Sequence, residues 1–170
     1  MKRAALTLVF VSVALGCGPA AAPAGEEDGA GTAGGEEGEG GHARQSAREL
    51  LGINPPEQPW SEMSHADREM DMIGRFNPIF TEIFQEHSSV QYAGFSCESC
   101  HGSNMRERNF EMPSTELPRV PLPGTPAYQQ MASEHPEDTR FMEEVVTPTM
   151  QTMLGMGATF TCNGCHPVGS

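Results

Sequence analysis

The chain has 170 residues, with 10 basic and 23 acidic side chains and a net charge of −13. From His42 onward it holds 8 Arg against 17 Asp and Glu, a net −9, and no lysine. That excludes the basic stripe nucleic-acid binding needs and leaves an acidic surface that favours solubility and can steer a basic partner.

Lys2 and Arg3 precede an apolar run, Ala4 to Leu15. As a helix this run would span about 18 Å, short of a roughly 30 Å hydrocarbon core. It reads as an export signal. "ALGC", Ala14 to Cys17, resembles the lipobox of bacterial lipoproteins, with Ala14 standing where Leu is usual. The resemblance implies a signal over residues 1–17 and a lipid on Cys17, the odd one of five cysteines. Such a lipid anchors the chain to a membrane, on the periplasmic side or at the outer membrane. Cleavage after Ala24 would instead leave a soluble periplasmic protein. Residues 18–41 are Gly, Ala, Pro and Glu with six acids and almost nothing to bury. They read as a disordered, self-repelling tether.

Residues 42–170 fit one domain, with an expected radius of gyration of about 14 Å. Modest apolar content and Pro- and Gly-rich loops call for a disulfide, metal or cofactor to complete the core. Ser64 is the expected N-cap of a helix through "HADREMDMIGRFNPIFTEIF". Ile73, Phe76, Phe80, Ile83 and Phe84 share one face of it, and Pro78 is expected to kink it. "FSCESCHG" follows, Phe95 to Gly102, and then an irregular Pro-rich stretch, "NFEMPSTELPRVPLPGTP". Thr125-Pro126 opens a short helix through Glu134, which His135-Pro136 ends. Thr139 is the expected cap of a last helix carrying Met142, Val145, Val146, Met150, Met153 and Leu154, and Gly155 stops it. "FTCNGCHP" closes the series, Phe160 to Pro167. No β-sheet is expected.

The chain repeats itself at an offset of 70 residues. "NPIFTEIF" from Asn77 aligns with "TPTMQTML" from Thr147, Met72 falls opposite Met142, and each segment runs into Phe-[Ser/Thr]-Cys-x-x-Cys-His. The repeats cover about 61–102 and 139–167. Two copies imply two equivalent sites.

Three chemistries compete for Cys97, Cys100, Cys162 and Cys165. Zinc on four thiolates is one, but 61 residues separate Cys100 from Cys162, against roughly 15 to 20 in a compact ribbon. A redox dithiol is another, without the βαβ context it normally occupies. Neither explains why a histidine follows the second cysteine both times. Haem c does: two thiols add across the vinyl groups of one haem, and the adjacent His101 or His166 binds the iron. The expected fold is therefore mainly α, with two helix–CxxCH repeats packed around two covalently attached haem c groups.

On these motifs the sequence resembles the small exported multihaem c-type cytochromes. Its helix–CxxCH repeat is similar to that of the tetrahaem cytochrome subunit of photosynthetic reaction centres. The resemblance covers roughly Ser61 to Pro167 and two haem sites. It implies electron transfer, and a methionine on the helix before each motif as the distal iron ligand. For the second haem that helix offers Met150 and Met153, which lie 12 and 9 positions before Cys162. For the first, Phe80 stands in the place of Met150. His87 and Met112 are the alternatives there, with His65, His135, Met72 or an open site after them. A His/His haem would sit at lower potential than a His/Met haem, so the two haems are expected to differ. The expected function is single-electron transfer with redox partner proteins in the bacterial cell envelope. The rival is a di-haem peroxidase-like enzyme, or a haem-based ligand sensor, with one open iron.

Overall fold

The computed structural model describes residues 45–169. Cys17, the export signal and the 18–41 tether lie outside the described residues. Among the described residues the protein is mainly helical. It has no sheet, only an isolated parallel bridge between Val120 and Val168, and no helix long and apolar enough to cross a membrane.

Two long helices build the core. The first occupies residues 65–87 and opens on Ser64, whose side chain accepts from the Asp67 N–H. That satisfies one of the N-terminal donors the helix cannot pair internally. The second occupies residues 136–153. It begins three residues before the expected Thr139 cap, because Pro136 takes the first helical position. Proline loses no hydrogen bond there, and Glu137 and Asp138 fill the acid-favouring first turn. The short helix Pro126–Glu134 forms as expected, with Thr125 accepting from the Tyr128 N–H.

The first helix continues through Pro78. A π turn, Met72–Phe76, precedes it, and the Asn77 N–H reaches the Met72 carbonyl five residues back. The second helix does the same at Met142–Val146, where the Thr147 N–H reaches the Met142 carbonyl ahead of Pro148. In an unbroken α-helix each proline ring would collide with the carbonyl four residues earlier. A widened turn relieves that contact without stopping the helix. The two interruptions fall at the same offset of 70 as the sequence repeat.

The helices pack through Phe76, Ile79, Phe80, Ile83 and Phe84 on one side and Phe141, Met153 and Leu154 on the other, with Phe160 beside them. Phe84 stacks on Phe95 at 4.5 Å and meets Phe141 edge-on at 5.2 Å, so the residue leading into the first motif is clamped to the core. Ile73, expected on the buried face, is 56 % exposed. The π turn resets the register, so the face preceding it no longer lines up with the one that follows. At its C-terminus the second helix closes with Met156 N–H to Gln151 carbonyl and Gly155 N–H to Thr152 carbonyl. This Schellman closure needs the positive φ of +65° that Gly155 adopts. Arg75 ties the two helices, pairing with Asp71 at 2.7 Å and donating to the Met153 carbonyl at 3.3 Å.

An unanticipated short helix, Ala47–Leu51, is capped by Ser46. It docks on the first long helix through Arg48, which pairs with Glu82 at 2.7 Å and also with Glu86.

Candidate functional site

Each Cys-x-x-Cys-His folds into one helical turn. Cys97–His101 is a short α-helix whose preceding Ser96 N–H donates to Ser99 Oγ at 3.0 Å. In the second motif Cys162–Gly164 forms a 3-10 turn, and the His166 N–H continues it to the Cys162 carbonyl at 2.9 Å. Gly164 sits so close to Phe160 that a Cβ would lie 2.5 Å from its ring. The residue between these cysteines is thus restricted by the core it touches.

Both motifs face apolar clefts. The second borders a cavity of about 370 Å³ lined by Cys162, Cys165 and His166. The first borders a two-part cleft, about 590 Å³ outside and about 310 Å³ inside. Trp60, Met72, Cys97, His101 and Met112 line both parts, and Cys100 lines the inner one. The inner part and the second cavity share Val146, Met150, Phe160 and Cys165, so the two sites meet at a common wall.

The clefts also correspond residue by residue along the helices. The second cavity is lined by His135, Asp138, Thr139, Met142, Val146, Thr147 and Met150. Their counterparts 70 positions earlier, His65, Arg68, Glu69, Met72, Phe76, Asn77 and Phe80, all line the first cleft.

The chemistry of the donors separates the cofactor readings. Burial lifts the Cys100 thiol to about 11, with the Cys97 sulfur adding to it. Burial lifts Cys165 to about 12, with further contributions from Cys100 and then Cys162. Zinc would bind these sulfurs only as charged thiolates. A thioether carries no charge and tolerates the same burial. Among the described residues no three His, Cys, Asp or Glu side chains converge as a metal-binding group, and the four cysteines are free.

The histidines differ. His166 places Nδ1 2.9 Å from the Pro118 carbonyl. With Nδ1–H donating there, Nε2 keeps a free lone pair, the arrangement that orients a metal-ligating imidazole. His101 has a buried Nδ1 without a hydrogen-bond partner. Burial lowers its pKa, against a smaller opposing effect of the Phe110 backbone, so the ring stays in the neutral form that coordinates metal. The residues present fit a haem c group at each motif: paired thiols, a histidine and an apolar cleft.

One residue joins the two motifs. Ser114 is fully buried; its N–H donates to the Cys165 carbonyl at 3.0 Å and its Oγ–H to the His101 carbonyl at 3.0 Å. The segment that follows wraps the second motif, with Val120 N–H on the Pro167 carbonyl at 2.9 Å and Asn163 Nδ2 on the Val120 carbonyl at 3.0 Å.

Of the distal-ligand candidates, Met112 lines the first cleft and Met150 the wall between the sites. Met153 is fully buried in the hydrophobic core and lines none of these clefts. His87 is not brought to the first site either: its ring stacks on Phe141 at 3.9 Å, and Nε2 lies 3.5 Å from Asp138. The loop after His87 turns the chain back before Cys97, so closeness in sequence does not become closeness in space. Sequence reasoning passed over Ser114, and the group of Arg68, Arg106 and Arg108 around the first cleft. Met142 it noticed only on the apolar stripe of the last helix and as the partner of Met72.

Comparison with protein-family models, curated proteins and solved structures finds no match for the chain.

Proposed function

We propose that the protein is a di-haem c-type cytochrome that carries single electrons. The observation that carries the reading is the pair of Cys-x-x-Cys-His turns, each opening its thiols and histidine onto an apolar cleft, with the clefts meeting at one wall. Cys97 and Cys100 would hold one haem as thioethers, Cys162 and Cys165 the other, with His101 and His166 as proximal iron ligands. Each haem, when bound, supplies an iron that takes up and releases one electron.

The chain's own residues make the rest of the device. The aromatic wall of Phe76, Phe80, Phe84 and Phe160 keeps water from the inner cleft. The Pro118 carbonyl fixes the His166 ring. Ser114 holds the two motif backbones at a set separation, which keeps the electron path between the sites short and constant. The sequence resemblance of the repeat to reaction-centre cytochromes is in keeping with this, as are the leader-like run Ala4 to Leu15 and the lipobox-like stretch ending at Cys17. On this reading the protein works in the cell envelope, tethered to a membrane, and exchanges electrons with redox partner proteins across its acidic surface.

The discriminating experiment is optical and paramagnetic spectroscopy of the purified protein, with and without carbon monoxide and peroxide. The carrier reading expects two low-spin, six-coordinate haems inert to both reagents. A high-spin iron that turns over peroxide would make the protein a peroxidase-like enzyme instead.

A further inference from the structure

Resting on the di-haem reading, one buried side chain sets the second site apart from the first. Tyr128 is the buried residue of the short helix Pro126–Glu134, and it lines the second cavity together with Cys162, Cys165 and His166. Its hydroxyl donates to Glu143 Oε1 at 2.6 Å. A phenol taken out of water needs such a partner, and an ionised acceptor makes the bond short and strong. Burial raises the Tyr128 pKa most, the hydrogen bond to Glu143 comes next, and the nearby Cys162 sulfur adds to both. The hydroxyl therefore keeps its proton. It stands close both to the Glu143 carboxylate and to the sulfur that would carry the second haem.

The first copy has no such pair. Seventy positions before Tyr128 stands Gln58, and seventy before Glu143 stands Ile73, a hydrocarbon side chain on the outer part of the first cleft. Other charges at the second cavity are engaged elsewhere. Arg119 Nη1 donates to the Val168 carbonyl at 3.1 Å, and Asp138 lies 3.5 Å from His87 Nε2. Glu143 itself is exposed, so without the Tyr128 bond its carboxylate is free to turn into solvent. An anion held at the edge of a haem favours the ferric iron, which carries one more positive charge than the ferrous. Apolar surroundings weaken that attraction far less than water does.

We infer that Tyr128 is a positioning residue for the second haem: it pins the Glu143 carboxylate beside Cys162 and so lowers the potential of that haem alone.

The test is potentiometric titration of the intact di-haem protein. Glu143→Gln keeps an acceptor for the Tyr128 hydroxyl and removes the charge. It should raise the potential of one haem and leave the other unmoved. Glu144→Gln removes the same charge one residue on, from an exposed side chain, and should shift that haem far less. Tyr128→Phe keeps the ring and releases the carboxylate, so it should raise the same wave by no more than Glu143→Gln does. The double variant should match Glu143→Gln alone, because both changes act through one contact. If Tyr128→Phe does not fold, the two glutamine variants carry the test by themselves. In protein with Cys97 and Cys100 replaced by serine, the one remaining wave should respond to Glu143→Gln, which assigns the effect to the second haem. Equal shifts of both waves, or equal shifts from E143Q and E144Q, would overturn the assignment. So would a merely structural tie, seen as lower stability of Y128F with both potentials unchanged in Y128F and E143Q. Two covalent haems in the same di-haem preparations separate these outcomes from failure of the di-haem reading, which would show as protein without covalent haem.

Discussion

The two motif sites share a plan but not their surroundings. Around the first, Arg68, Arg106 and Arg108 line the cleft with Glu69 and Glu111, and His101 has no partner for its buried Nδ1. Around the second stand Arg119 and Asp138, and His166 leans on the Pro118 carbonyl. Duplication has kept the helix, the π turn and the cysteine spacing while the electrostatic setting diverged. A positive setting favours the reduced iron, and a hydrogen bond from Nδ1–H makes the imidazole a stronger donor that favours the oxidised iron. Both differences act in one direction: the first haem should have the higher potential.

The strongest way to break the comparison is to remove one site. Replacing Cys97 and Cys100 together by serine should leave protein with a single haem on Cys162 and Cys165. The reciprocal pair should leave the single haem on the first motif. Intact-mass measurement counts them, and loss of both haems from either variant would mean that the sites do not assemble independently.

A smaller effect sharpens the electrostatic difference. Arg108 has a buried Nη1 without a hydrogen-bond partner, and Arg108→Gln removes one positive charge from the lining of the first cleft. One charge acting through an effective dielectric of about 20 over some 15 Å is worth about 1 kcal/mol, or roughly 40 mV for a one-electron couple. Potentiometric titration should show the higher wave falling by that order and the lower wave unmoved. Equal shifts in both waves would refute the unequal setting.

Ser114→Ala tests the joint between the sites. It leaves the partly buried His101 carbonyl without the Ser114 donor, at a cost of roughly 1–3 kcal/mol, measurable by urea unfolding of the haem-loaded protein. The smallest effect is expected at His87. His87→Ala should leave both haem spectra unchanged and lower stability by less than about 1 kcal/mol, the worth of a ring stack and a partly exposed polar contact.

Local chemistry was legible in the sequence. Ser64, Thr125 and Gly155 each cap or stop a helix where their side chains or backbone freedom say they should. The turn at each Cys-x-x-Cys-His motif was legible for the same reason, since each motif spans five consecutive residues. What escaped depends on contacts far apart in the chain. The π turns stand just ahead of Pro78 and Pro148, where no local pattern announced a widened turn. Ser114 joins residues 13 positions before it to residues 51 after it, and no local pattern marks it. His87 is absent from the lining of the first cleft and stacks instead on Phe141, which comes from the other helix. The correspondence of the clefts becomes visible only when both helices are folded with the same interruption.

Covalent haem stoichiometry tests the central claim most directly. Intact-mass measurement of the purified protein, paired with its alkaline pyridine spectrum, should give two haems per chain joined through thioethers at Cys97, Cys100, Cys162 and Cys165. A chain carrying zinc, disulfides among these cysteines, or no haem after export in a strain able to mature c-type cytochromes would contradict it.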